Sequence, residues 1–141
     1  MRFRPFTELD LDLLNRVAGN RPLSLGAVRF FARTGHSFLA EEGEEPKGFA
    51  LAQAVWQGEA TTVLVSRVEG KDQATLEGLL AAVVKSAYDA GVYEVALHLD
   101  PGREELAQAL KAQGFAIGPL VLAVRVLGSR GQRGETRGVL E

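Results

Sequence analysis

A strand, a long helix and a second strand follow one another in the middle of the chain, and this order constrains the fold most strongly. Residues 60–68 (ATTVLVSRV) are rich in β-branched side chains, which favour strands. Apolar residues recur over 74–90 at the 3.6-residue period of a helix, with Asp72 as a candidate N-cap. Residues 92–99 (VYEVALHL) again alternate as a strand does. Two strands joined by a helix are typical of a parallel βαβ crossover.

The N-terminal half predicts a short strand, two helices and an antiparallel meander. Residues 2–6 alternate polar and apolar side chains, and Thr7 and Ser24 are residue types that cap helices. A charged turn and a glycine turn separate the three strands of the meander, which we expect at 36–41, 47–57 and 60–68. The alanine-rich face of the middle strand favours a helix lying close against it.

The residues after the crossover predict one helix and one last strand. Asp100 and Pro101 suit the N-cap and the first helical position, and Gly114 suits the helix end. A strand is expected over 115–127, interrupted near Gly118. The order β-α-α-β-β-β-α-β-α-β predicts an α/β (α+β) fold with a mixed sheet. Its N-terminal strands are antiparallel, one crossover is parallel, and helices cover both faces.

Composition narrows the functional classes. The 141 residues suit one domain, expected at 1–127, with a mobile tail containing glycine and arginine at 128–141. Sixteen basic and eighteen acidic residues argue against nucleic acid as a partner, and no apolar run is long enough for a membrane span. Without cysteine the chain has no thiolate nucleophile and no Cys-ligated metal. We therefore expect a cytoplasmic protein, and one methionine with two asparagines hints at a thermophile.

The element order and two local patterns resemble the GNAT N-acetyltransferase superfamily over about 1–127. That family has a strand L-x-V-x-P, a loop Q/R-x-x-G-x-G/A and a helix with paired leucines. Here the strand is 64–68 (LVSRV) and the loop is 71–76 (KDQATL). A second family pattern, L-Y-E-K-x-G-F, corresponds to 109–115 (ALKAQGF).

The resemblance implies acetyl-CoA as co-substrate and a small-molecule or peptide amine as acceptor. In the family the pantetheine arm pairs with the strand, and the pyrophosphate rests on the N–H groups that open the helix. The implied cofactor-binding residues are Leu64, Val65, Ser66, Lys71, Gln73, Ala74, Thr75 and Leu76. The chain departs from the family at the loop glycines, at Asp72, and at Leu110, where many members have a proton-donating tyrosine.

Acetyl transfer also requires a base for the ammonium proton of the amine. Glu59 at the start of the fourth strand and His98 near the end of the fifth are the catalytic candidates. Their alternative roles are a solvated turn residue and a structural hydrogen-bonding histidine. His36 and His98 are not at metal-ligand spacing, so we expect no metal site.

Three hypotheses therefore remain open at the level of sequence. The first is an acetyltransferase, and the second is an inactive GNAT-fold binding or regulatory module, favoured by Asp72, Leu76 and Leu110. The third is an unrelated α/β dimerisation domain. The acceptor and the oligomeric state are left open. Aromatic residues are expected mainly in packing roles: Phe30, Phe31, Phe38 and Trp56.

Overall fold

The computed structural model describes residues 1–118 and 121–128, which form one five-stranded sheet with helices on both faces. The strands are β1 (Arg2–Arg4), β2 (Phe38–Glu42), β3 (Glu45–Gln57), β4 (Ala60–Gly70) and β5 (Glu94–Leu97). The helices are α1 (Leu11–Ala18), α2 (Leu25–Ala32), α3 (Gln73–Asp89) and α4 (Glu104–Ala112), and a 3-10 turn (Glu8–Asp10) precedes α1.

The sheet has the mixed topology that the sequence predicts. Its strand order is β1-β2-β3-β4-β5, with antiparallel pairing from β1 to β4. Strand β5 pairs with β4 in parallel after the α3 crossover. The GNAT-like fold class is thereby confirmed in its sheet and crossover.

Side-chain caps begin three of the helical segments where the sequence places them. The Thr7 hydroxyl accepts a hydrogen bond from the N–H of Leu9 at 3.2 Å, and the Ser24 hydroxyl accepts one from Ala27 at 3.1 Å. Asp72 caps α3 through the N–H of Thr75. These bonds satisfy donors that a helix start would leave unpaired.

Two apolar clusters cover the two faces of the sheet. On one face α3 and α4 pack on the small side chains of β3, Ala50 and Ala52. On the other face α1 and α2 pack on Phe49 and Leu51. Gly78 of α3 allows the Phe3 ring to lie against the helix, because a Cβ at this position would overlap that ring. The alanine face of β3 therefore receives the helix as expected.

One predicted strand is not formed within the described residues, and the predicted start of one helix is wrong. The last strand over 115–127 is not formed within its described part, 115–118 and 121–127, where Gly118 has a φ of 77° that breaks an extended run. Asp100 does not cap α4, because its side chain bonds Gly102 and its carbonyl bonds Arg103 in a turn before the helix.

Some packing expectations also need correction. Trp56 is 70% exposed and Phe30 is 51% exposed. Trp56 lies on the same face of β3 as Ala50 and Ala52, but near the strand end, beyond the part of that face that the helices cover. Phe31 and Phe38 pack against the two clusters as expected.

Apart from Gly128, the tail expected at 128–141 lies outside the described residues. None of the helices described here combines the length and the apolar character needed to cross a bilayer.

Candidate active site

A β-bulge at Ser66 interrupts β4. Leu51 of β3 pairs with Arg67, but the next residue, Ala52, pairs with Val65, so Ser66 is the extra residue of β4. A bulge bends its strand and increases the local twist. Strand β4 therefore changes direction at Ser66.

Strands β4 and β5 part at the same level. Their parallel ladder ends at Val65 and Leu97, whereas β4 continues to Gly70. The gap that opens between them has Ser66 and His98 at its mouth, each one residue past the ladder. Its far end is the turn from β4 into α3. This gap is the candidate cofactor cleft.

The first turn of α3 borders the cleft and is partly occupied by its own cap. Asp72 Oδ1 accepts 2.8 Å hydrogen bonds from the N–H and from the hydroxyl of Thr75. These bonds hold the pKa of the Asp72 carboxyl below its ordinary value, backbone N–H first. The N–H of Leu76 bonds the Asp72 carbonyl at 3.2 Å. The N–H groups of Gln73 and Ala74 precede the intrahelical ladder and are available to a ligand.

The predicted cofactor-binding residues divide into exposed and buried groups. Ser66, Lys71 and Ala74 are exposed, and Leu64 and Gln73 are half-buried. Val65, Thr75 and Leu76 have buried side chains and can reach a ligand only through their backbone. Leu76 packs against Gly70, where an added Cβ would lie 3.0 Å from the Leu76 side chain. The side chains of these residues therefore do not all face the cleft.

Two carboxylates beside the cleft are each shared by two cations. Glu45 accepts from Lys71 Nζ at 3.2 Å and from Arg16 at 3.1 Å. Glu69 accepts from Arg67 Nε at 2.9 Å and lies 3.6 Å from Arg103.

Arg103 is the residue that the sequence analysis missed. It precedes α4, and its guanidinium donates a 3.2 Å hydrogen bond to the Val68 carbonyl of β4. The bond spans the gap between the diverging strands. A basic residue between a turn and a helix was the only local signal, and it does not indicate where the side chain reaches.

The two candidate bases lie at different levels along β4. His98 is exposed at the mouth of the cleft. Glu59 lies in the exposed turn before β4, seven residues from Ser66 and therefore roughly 23 Å along the strand. The structure brings His98, not Glu59, to the level of the bulge.

Two further residues that the sequence analysis considered, Leu110 and His36, are buried. Leu110 is buried in the α3–α4 cluster, as the packing interpretation expects. His36 is buried, and its Nδ1 lies 2.9 Å from the Ser86 hydroxyl. Within residues 1–118 and 121–128, no three His, Asp or Glu side chains group as metal ligands would.

Comparison with a family model gives a match over residues 15–139 to a family described as "Protein of unknown function (DUF1999)". No curated protein matches the chain. The crystal structure of wild-type TTHA1254 from Thermus thermophilus is 83% identical and superposes with a TM-score of 0.89. The match covers 92% of this chain and 100% of that chain. Its source is consistent with the thermophilic hint in the composition.

Solved acetyltransferases are similar at much lower identity. The aminoglycoside acetyltransferase meta-AAC0020 from an uncultured soil metagenomic sample is 14% identical, with a TM-score of 0.73. That match covers 89% of this chain and 95% of the other. AAC(6')-Iy in complex with the bisubstrate analog CoA-S-monomethyl-acetylneamine is 19% identical, with a TM-score of 0.72. It covers 88% and 96% of the two chains. These similarities confirm the GNAT-like fold.

Proposed function

The chain belongs to the DUF1999 family, and we propose that it is a GNAT-type N-acetyltransferase that moves an acetyl group from acetyl-CoA to a primary amine. The observation that carries the proposal is the gap between β4 and β5, which opens at the Ser66 bulge and ends beside α3. Acetyl-CoA would supply the activated acetyl group as a thioester.

The groups around this gap fit such a co-substrate. Beyond Val65, the edge of β4 that faced β5 offers backbone donors and acceptors suited to the amides of a pantetheine arm. The N–H groups of Gln73 and Ala74 and the ammonium of Lys71 can hold a pyrophosphate. The ionised Asp72 carboxylate opposes it by like-charge repulsion. We therefore expect acetyl-CoA to bind this loop, but with lower affinity than it would bind a glycine-rich loop.

His98 is the base of the proposed reaction. It lies one residue past the β4–β5 ladder, at the level where the strand edge becomes free. An imidazole can accept a proton near neutral pH, which would leave the amine lone pair free to attack the thioester. Glu59 lies too far along β4 to contact the same amine.

The proposal is tested by titrating CoA and acetyl-CoA calorimetrically, and then by measuring thiol release with a panel of primary amines. We expect His98→Ala to lower kcat by about 10²-fold or more. Glu59→Gln should have little effect on kcat. No binding at millimolar CoA would reject the proposal, and loss of turnover in Glu59→Gln alone would move the base role to Glu59.

The second candidate is a CoA-binding or regulatory module without transfer chemistry. Leu110 favours it, because this buried side chain stands where many GNAT members have a tyrosine and cannot donate a proton to the leaving thiolate. CoA binding without thiol release across the amine panel would support this alternative.

A further inference from the structure

Arg103 has a position that packing alone does not explain. Arg103 directly precedes α4, which packs with α3 on one face of the sheet. Glu69, which it approaches at 3.6 Å, is held by Arg67, and Arg67 stacks over Phe49 on the opposite face. The Val68 carbonyl that Arg103 bonds lies between them in the strand. The guanidinium therefore sits within the gap between β4 and β5.

Both contacts of Arg103 can be given up at small cost. Glu69 keeps the shorter 2.9 Å bond to Arg67 when Arg103 leaves. The bond to the Val68 carbonyl is one hydrogen bond to a neutral acceptor, and the Arg103 side chain is 39% exposed. A phosphate oxygen is an ionised acceptor, so exchange of the neutral carbonyl for a phosphate favours the ligand contact. Arg103 thus carries a positive charge that no buried partner requires.

We propose that Arg103 binds a phosphate group of the CoA nucleotide, and that it leaves the Val68 carbonyl as the ligand enters. This inference rests on the proposed function and adds to it a residue outside both family patterns. A guanidinium can donate two parallel hydrogen bonds to two oxygens of one phosphate, whereas a carbonyl offers it a single acceptor oxygen. Its departure also frees the Val68 carbonyl for an amide of the pantetheine arm.

A phosphate contact at Arg103 would favour the binding of phosphorylated ligands over that of unphosphorylated ones. Pantetheine carries the same arm without the nucleotide, so it gains nothing from the guanidinium. CoA gains one charge-assisted contact. An arginine that only braces α4 onto β4 would affect both ligands equally.

The test is calorimetric titration of the full chain with CoA, 3′-dephospho-CoA and pantetheine. The variants are Arg103→Gln, Arg103→Lys and the matched control Arg2→Gln. Arg2 carries the same charge at the opposite edge of the sheet and is 73% exposed. We expect Arg103→Gln to weaken CoA binding by about tenfold or more, the effect of losing a charge-assisted contact. Arg103→Lys should lose less, and Arg2→Gln should bind as the wild type does.

The affinity for pantetheine distinguishes an Arg103 that contacts the phosphate from an Arg103 that only holds α4 against β4. We expect Arg103→Gln to bind pantetheine as well as the wild type or better, because the Val68 carbonyl is free. Comparison with 3′-dephospho-CoA shows whether the 3′-phosphate or the pyrophosphate is the partner. Unchanged CoA affinity in Arg103→Gln, or an equal loss for pantetheine, overturns the inference and leaves the proposed function intact. A wild type that binds no CoA overturns both.

Discussion

Two sets of ion pairs, one joining β1 and β2 to the turn before α1 and the other at the ends of β3 and β4, differ in burial and geometry. The closed set comprises Arg4, Asp10 and Glu41 at the β1 edge. Arg4 donates to both oxygens of Asp10 at 2.9 and 3.1 Å and to Glu41 at 2.8 Å. All three side chains are mostly buried. The Arg4 bonds are the main cause of the lowered pKa of Asp10.

The open set comprises Lys71 with Glu45 and Arg103 with Glu69, beside the cleft. Its distances are 3.2 and 3.6 Å, and both cations are substantially exposed. Each carboxylate keeps a second cation if the first one leaves. The closed set therefore stabilises the fold, whereas the open set has charges free to meet a ligand.

The largest effect should follow from removing the centre of the closed set. Arg4→Ala leaves the largely buried Asp10 without its cation and Glu41 with only the 3.9 Å contact to Arg2, and we expect a loss of about 3 kcal/mol in the free energy of unfolding at pH 7. Guanidinium denaturation measures it. The control Arg2→Ala removes a 3.9 Å pair to the same Glu41 and should cost less than about 0.5 kcal/mol.

Low pH should reduce the difference in the free energy of unfolding between Arg4→Ala and the wild type. The folded pKa of Asp10 lies below its unfolded value, so its contribution is present above about pH 4 and is lost as pH falls further. The variants should therefore converge in acid. An equal cost for Arg2→Ala and Arg4→Ala at neutral pH would remove the distinction between a closed and an exposed pair.

Substitution of Asp72 should change stability and ligand binding in opposite directions. Asp72→Ala removes the cap of α3 and leaves the buried Thr75 hydroxyl without its 2.8 Å carboxylate partner, for a loss of about 2 kcal/mol. Asp72→Asn keeps a capping oxygen and should cost far less. On the proposed function, Asp72→Asn should bind CoA about threefold tighter, since one screened like charge is gone. Weaker binding in Asp72→Asn would mean that the carboxylate assists the ligand.

Gly78→Ala tests how tightly the β1 edge is packed. The new methyl would overlap the Phe3 ring, and we expect a net loss of about 1 kcal/mol despite the better helix propensity of alanine. Gly26→Ala in α2 is the matched control, because its Cβ would meet only the Ser24 hydroxyl at 3.9 Å. The control should gain stability. If Gly78→Ala gains as well, the edge is looser than its contacts indicate.

The smallest effect on the free energy of unfolding should come from His36, which belongs to neither set of ion pairs. Burial lowers its pKa, so the unfolded chain takes up the proton first as pH falls below about 6.5. We expect the free energy of unfolding to decline from pH 7.5 towards 5.5 in the wild type and less so in His36→Gln.

Local signals predicted most of the fold. Thr7, Ser24 and Asp72 act through neighbours within three residues, so their capping roles are readable from the chain. The cap assigned to Asp100 was wrong because its side chain and its carbonyl accept hydrogen bonds from Gly102 and Arg103 in a separate turn before α4. The exposure of Trp56 depends on which part of β3 a helix covers, and strand alternation does not show that.

The candidate site was predictable only in outline. The start of α3 and the position of His98 follow from element order, but their roles remain predictions. The reach of Arg103 to Val68 depends on where β4 and β5 part, a long-range outcome of the Ser66 bulge. No spacing within 100–104 indicates it.

The additional residue at Ser66 also reverses the alternation of β4. Val63 and Val65 join the α3 cluster at odd positions, and Val68 joins it at an even one. Deleting Ser66 would restore a regular ladder in which Arg67 follows Val65 directly, opposite Leu51 as it is now. Val68 would still point into the α3 cluster and Arg67 away from it, because the deletion removes only the unpaired residue. A single-codon deletion here would therefore straighten β4 without exchanging its buried and exposed side chains.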